Sequence, residues 1–267
     1  MFVTFLSDFS LRDDFVGTCH GVIKRIAPDA QIVDITHGIP PRAIVQGALV
    51  LANTVPYMPV GVHLAVVDPG VGGPRRALAL RDNEGRLYVG PDNGLLVPAV
   101  EHTGIAEANE IVNAAYALAP VSRTFHGRDI FAPAAAHLAS GLSPSELGPP
   151  IDPGALVRLE LPQADVRAHR IGATVLYVDA FGNMQLNLTR AHLDEAGLEA
   201  GARVELELDG QRYFAVAART FSDARTGDLI LYEDSYRNVA VAMNRGSAAE
   251  LLAAVAGQEL RINLDVP

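Results

Sequence analysis

Val62-His63-Leu64-Ala65-Val66-Val67-Asp68-Pro69-Gly70 is an apolar run too continuous to alternate between core and solvent, and it ends on a carboxylate followed by turn residues. Such a run reads as a strand buried on both faces, the kind found in parallel sheets. Upstream, Phe2 to Leu6 is a shorter run of the same character. Asp13-Asp14 then precede a helical pattern that Pro28 stops, Gln31 to Ile35 reads as the next strand, and Ala43 to Thr54 as a helix. The order βαβαβ predicts an α/β domain with a mostly parallel sheet and right-handed crossovers. Further strands are predicted at Ala77 to Leu80 and Leu87 to Val89, and a helix over Asp129 to Ala139.

Downstream, Ser143-Pro-Ser-Glu-Leu-Gly-Pro-Pro-Ile-Asp-Pro-Gly154 carries four prolines and two glycines, and the hydrophobic pattern changes after it. This places a domain boundary between residues 1–150 and 151–267. The second part offers short runs rich in branched residues: Val157 to Leu161, Ile171 to Val178, Met184 to Leu188, Arg203 to Leu208, Tyr213 to Ala217 and Val239 to Met243. Asp209-Gly210 between two of them signals a type I′ hairpin. A smaller, antiparallel all-β barrel is expected.

The length of 267 residues suits two cores. The formal charge of −10, with a single lysine at Lys24 and no basic stripe, argues against a nucleic-acid partner. The apolar run Ala43 to Ala52 is broken by Gln46 and too short to span a bilayer, and Met1 to Leu6 lacks the basic start of a signal peptide. No membrane partner and a cytoplasmic location are expected. Cys19, the only cysteine, excludes an intrachain disulfide and a cysteine-based zinc cluster. With Phe15, Val16, Val22, Ile23 and Ile26 around it at helical spacing, it reads as a core residue.

The carboxylates fall where strands end. Asp8 follows the first strand, Asp34 with His37 closes the second, and Asp68 closes the third, so a parallel sheet lines them along its carboxyl edge, where ligands of open α/β sheets bind. Each also has a plain alternative as a turn former or a side chain satisfied by loop backbone. Asp68-Pro-Gly-Val-Gly-Gly invites a phosphate-loop reading but lacks the Gly-Lys-Ser/Thr ending. Thr124-Phe-His-Gly-Arg-Asp-Ile-Phe131 brings imidazole, guanidinium and carboxylate together at a helix entry, and His126 reads equally as a bonded core histidine or a catalytic group. Asp8, Asp34, His37, Asp68 and His126 are all competent metal ligands, but no metal-binding spacing such as His-Glu-x-x-His supports a hydrolytic metal centre. No metal and no cofactor are expected.

The segments Asp8-Phe-Ser with Asp13-Asp-Phe-Val-Gly17, Asp34-Ile-Thr-His-Gly-Ile-Pro40, Val67-Asp-Pro-Gly-Val-Gly72, Pro91-Asp-Asn-Gly94, Thr124 to Phe131 and Asp179-Ala-Phe-Gly-Asn183 resemble, in order, those of the S-adenosylmethionine hydroxide adenosyltransferases, relatives of the fluorinase and chlorinase enzymes. The resemblance implies hydrolysis of S-adenosylmethionine to adenosine and methionine without a metal. It also implies a homotrimer in which the C-terminal barrel of one subunit completes the site of the next. By the same resemblance Asp68, Arg75 and His126 hold the attacking water, Asp8 grips the ribose hydroxyls, and Asp179, Phe181 and Asn183 contact the adenine and the methionine amine. Ser235 matches a methionine-side contact, with Tyr236 where the fluorinase has arginine. Aspartate at 68 with valine at 71, and His126-Gly127 in place of tyrosine and serine, favour water over halide. The sequence contains no tryptophan, so the ring beside the fluorinase substrate has no counterpart, and Pro41 stands near that place. Arg75 is followed by Arg76, and the sequence leaves the choice between them open.

Overall fold

Helices cover both faces of the N-terminal sheet, which is why its inner strands are buried along nearly their whole length rather than on alternate residues. The computed structural model describes residues 1–264. Six strands, β1 (Phe2–Ser7), β2 (Gln31–Thr36), β3 (Val62–Val66), β4 (Ala77–Asp82), β5 (Leu87–Pro91) and β6 (Ile105–Glu110), stand in the order β2-β1-β3-β5-β4-β6. Helices α1 (Phe15–Ile26) and α4 (Ala132–Ala139) share one core with Val3, Phe5, Val62 and Leu64. Helices α2 (Ile44–Thr54) and α3 (Val97–Glu101) share the opposite one with Leu6, Ala65, Val67 and Leu80. Cys19 is fully buried in the first of these cores, as its neighbours predicted.

The sheet is mixed. Strands β2, β1, β3 and β5 pair in parallel, but β4 runs antiparallel to both β5 and β6. The cause is the connection: only residues 83 to 86 join β4 to β5, with Gly85 at φ +86°, and a parallel crossover needs about a dozen residues. The parallel part still brings the ends of β1, β2 and β3 to one edge.

The second unit begins at Glu160. It contains β7 (Asp165–Arg167), β8 (Arg170–Val178), β9 (Met184–Thr189), β10 (Arg203–Leu208), β11 (Gln211–Ala217), β12 (Leu229–Glu233), β13 (Asn238–Met243) and β14 (Glu259–Asn263). Seven of these, β8 to β14, close into a barrel through the β14–β8 pairing, and β7 adds to β8. The barrel is not wholly antiparallel, because β11 and β12 pair in parallel. Asp209 and Gly210 both have positive φ, 48° and 77°, the type I′ geometry that their sequence signalled.

Val157 to Leu161 is not a strand. Leu156 and Leu159 pack into the core under α2 and α3, and the Val157 N–H donates to Asp92. The units therefore part after Leu159, because the proline-rich segment before that point is anchored to the first unit through buried Leu147 and Leu156. Among the described residues no helix is long and apolar enough to cross a membrane.

Candidate active site

Asp68 follows β3 and turns back toward the chain that continues it. The Asp68 to Arg75 loop is compact because Gly72 adopts φ +76°, and a Cβ there would stand 2.3 Å from the Arg123 carbonyl oxygen. The turn returns Arg75 onto Asp68. Arg75 Nε donates to Asp68 Oδ1 at 3.0 Å and to Oδ2 at 3.1 Å, while its Nη2 donates to Oδ2 at 2.5 Å. The same Nη2 lies 2.8 Å from His126 Nδ1, and the Arg75 guanidinium sits over the Phe131 ring at 5.0 Å. The Asp68 side chain is only 5% exposed and that of Arg75 11%, so these charge-assisted bonds are largely shielded from water.

His126 opens a π turn, Gly127–Phe131, that leads into α4. Such turns displace the side chains around them and recur at functional sites. A Cβ at Gly127 would lie 2.8 Å from the tip of the Phe9 ring, so any larger residue there must displace that ring. Burial first, then the Arg75 charge, hold the His126 imidazole below its ordinary range, against the opposing pull of Asp68, Asp129 and a hydrogen bond to the Ser122 backbone. Asp129 anchors the turn by accepting from the Ser122 N–H at 2.8 Å and from Arg128 Nε at 2.6 Å. Burial pushes the Asp129 carboxyl up, but Arg128 and Ser122 outweigh it and leave it below the usual carboxylate range.

Arg76 turns elsewhere. Its Nε donates to buried Asp92 at 2.8 Å and its Nη2 to the Ala155 carbonyl at 2.5 Å. Arg75 thus pairs with Asp68 and Arg76 with Asp92. The neighbouring Asn93 donates to the Val67 carbonyl at 2.8 Å and steadies the peptide before Asp68.

Asp8, after β1, accepts from the Arg42 backbone N–H at 2.9 Å through Oδ2. Burial raises its carboxyl above the usual range, and the Asp68 charge adds to the rise. Next in sequence to Asp8, Phe9 packs with Phe15 and Phe125, the ring centres lying 5.1 to 6.0 Å apart and Phe125 meeting both others edge to face. Asp34 and His37, which share the same sheet edge, do not join Asp68 but group with His20.

In the second unit, Asp179, Phe181 and Asn183 form one loop between β8 and β9. Asp179 Oδ1 accepts from the backbone N–H of Phe181 at 2.8 Å and of Asn183 at 2.9 Å, and Oδ2 accepts from Asn183 Nδ2 at 2.8 Å. These bonds project the Phe181 ring outward, 80% exposed. Ser235 lies in a loop built the same way, where Asp234 Oδ1 accepts from Tyr236 N at 2.8 Å and Asn238 N at 2.9 Å. Burial, then Asp234 and Asp179, push the Tyr177 hydroxyl up to about 12. Asp234 escaped the sequence reading, although Asp234-Ser-Tyr-Arg-Asn238 repeats the spacing of Asp179-Ala-Phe-Gly-Asn183 and could have revealed it.

A carboxylate, guanidinium and imidazole at the edge of an α/β sheet, with a closed barrel after it, match a known two-domain class. Residues 3–148 match the SAM hydroxide adenosyltransferase N-terminal domain and residues 173–261 its C-terminal domain. The chain belongs to this family. It is 49% identical over 261 residues to the "(R)-S-adenosyl-L-methionine hydrolase" of Salinispora arenicola, with 97% of each chain covered. A "Fluorinase" from Actinoplanes is more distant, 29% identical with 92% of each covered. A solved structure of an uncharacterised conserved protein from Thermotoga maritima is 34% identical, superposes with a TM-score of 0.90, and covers 98% of this chain and 99% of its own.

Proposed function

We propose that the chain is an S-adenosyl-L-methionine hydrolase forming adenosine and L-methionine, with water attacking the ribose 5′ carbon. The observation that carries the assignment of roles is the Arg75 fork, which ties Asp68 and His126 into one shielded group. As the new C–O bond forms, the C–S electron pair returns to the sulfonium and methionine leaves neutral, so the leaving group needs no acid. The chemical difficulty is to orient water, a poor nucleophile, and to receive its proton.

The hydrogen bonds divide these tasks. Arg75 carries no acceptor, so His126 Nδ1 must accept from it, and the neutral ring then bears its proton on Nε2. The lowered pKa of His126 favours that neutral form. His126 is therefore a donor, and Asp68, whose oxygens have lone pairs beyond those Arg75 occupies, is the group that takes the proton. Arg75 offsets the charge that grows on the water oxygen. Asp8 takes the ribose hydroxyls and aims the 5′ carbon. No step calls for a metal or organic cofactor. In this reading the protein works in the cytoplasm as a homotrimer, and Asp179, Phe181, Asn183 and Ser235 of a neighbouring subunit hold the adenine and methionine ends.

The fluorinase relatives make halide attack the reading to be tested against. A halide entering as an anion meets the Asp68 carboxylate, a repulsion of about 4 kcal/mol at 4 Å and an effective dielectric near 20, and it has no proton to give in return. Incubation in oxygen-18 water with molar chloride or fluoride, followed by mass spectrometry, tests this. Adenosine labelled at the 5′ oxygen is expected. A dominant 5′-halo product, or unlabelled adenosine, would overturn attack by water.

A further inference from the structure

The first unit holds a second cluster of metal-competent side chains that the reaction above does not use. His20 projects from α1, Asp34 from β2 and His37 from the turn after it. His20 Nε2 stands 2.9 Å, and His37 Nε2 3.1 Å, from the same atom, Asp34 Oδ1. One ligand atom from each residue lies within 4.8 Å of the others.

A plain hydrogen-bonded triad accounts for His20 but not for His37. The His37 side chain is 2% exposed, and its Nε2 has no hydrogen-bond partner despite the close approach to Asp34, whose oxygen lies out of line with the ring nitrogen. Leaving a buried polar atom unsatisfied is costly, and a ligand at that atom removes the cost. The ring is also held as a ligand ring is held. His37 Nδ1 lies 2.7 Å from Ser7 Oγ, and Phe5 packs edge-on against it with ring centres 4.6 Å apart. Metal-binding imidazoles are oriented in this way through their second nitrogen.

We propose that His20, Asp34 and His37 bind one divalent ion of the zinc, cobalt and nickel class. Two imidazoles with one carboxylate suit these borderline ions, whereas calcium and magnesium prefer all-oxygen sites. Two donors about 2.1 Å from one ion stand about 3.0 Å apart at right angles and about 3.4 Å apart at the tetrahedral angle, so the 2.9 and 3.1 Å separations of the histidines from Asp34 need only a small side-chain adjustment to hold tetrahedral zinc. Asp34 is 40% exposed and His20 31%, so an ion enters from solvent and completes its shell with water. The ion fastens α1 to the end of β2. It also braces the Asp8 loop, because Ser10 N donates to the His37 carbonyl at 2.8 Å and Ser7 contacts the His37 ring. The site is structural, and its assignment does not depend on the reaction proposed above.

The test uses the full-length chain without an affinity tag, stripped by a chelator and dialysed. Calorimetric titration with zinc should give one equivalent of saturable binding. Cobalt should give visible ligand-field bands, and either ion should raise the melting temperature. His20→Ala, on the solvent side of α1, and Asp34→Asn should each weaken binding by about tenfold or more. His126→Ala should leave the affinity unchanged, since that imidazole belongs to the Asp68 group. No saturable binding up to millimolar zinc, or wild-type affinity in both His20→Ala and Asp34→Asn, overturns the site. Affinity lost in His126→Ala instead would place the ion at Asp68 and overturn it equally.

Discussion

Arg75 and Arg76 are adjacent in the chain and identical in charge, yet the structure gives them different partners, so replacing each by lysine separates catalysis from stability. A lysine at 75 keeps the charge but puts one ammonium where Nε and Nη2 now reach two residues. At least one bond to Asp68 and the contact to His126 are lost. Hydrogen bonds to charged groups are worth about 1.5–3 kcal/mol each, and if about 3 kcal/mol of the combined loss is felt only as charge develops on the water, kcat falls about 100-fold. KM should stay within about threefold, because the role proposed for this group is to hold the nucleophile rather than the substrate. Arg76→Lys instead weakens the pairing of buried Asp92 and the bond to the Ala155 carbonyl, and should lower the melting temperature while kcat stays within about threefold for the folded protein. Steady-state adenosine formation by chromatography, alongside thermal melts, reads both. Wild-type kcat in Arg75→Lys, or a 100-fold loss in fully folded Arg76→Lys, would refute the division of labour.

Asp8→Ala should raise KM about tenfold or more, since each charge-assisted bond to a ribose hydroxyl is worth about 1.5–3 kcal/mol; an unchanged KM sinks the ribose assignment. The acid limb of kcat should lie below the ordinary histidine value of about 6.5, because burial and Arg75 disfavour the imidazolium of His126, and a limb above that value would contradict the neutral ring. His63, fully buried under Thr4 and Tyr88, is pushed down to about 4 by burial and by Arg86. Its contribution to stability is therefore complete above about pH 6.5, the unfolded value, and is lost by up to about 3 kcal/mol as the pH falls to 4, because the unfolded chain binds a proton that the folded chain refuses. Urea unfolding at pH 7 and pH 4.5 should show a smaller loss in His63→Gln than in the parent chain, and equal losses would refute the attribution.

The first three strands and two long helices were legible because β1 and β3 are buried almost throughout, β2 carries branched residues although it lies at the sheet edge, and each helix is bounded by turn residues at both ends. The orientation of β4 was not, since strand direction is set by the length of the connection to its neighbour, and periodicity says nothing of direction. Val157 to Leu161 has the residues of a strand, but Leu159 packs into the first unit's core instead, a tertiary choice that outweighs local preference. Strand β6, Ile-Ala-Glu-Ala-Asn-Glu, lies at the sheet edge with few branched residues, so it offered little signal.

At the candidate site, sequence order set Asp8, Asp34 and Asp68 toward one end of the parallel strands, with Asp34 still inside β2, but could not say which would meet. Strand β1 separates β2 from β3 in the sheet, and that spacing keeps Asp34 with His20 of α1 while Asp68 receives Arg75 from its own loop. The loop does this because Gly72 can pass against the Arg123 backbone, a contact between distant segments that only the folded chain reveals. The same contact brings the segment before His126 against the Asp68 loop, so that His126 reaches Arg75 across 51 positions of sequence. A glycine required by close approach thus precedes any choice of catalytic side chain. A Cβ at 72 would strain the backbone and push the two segments apart before it touched a charged group.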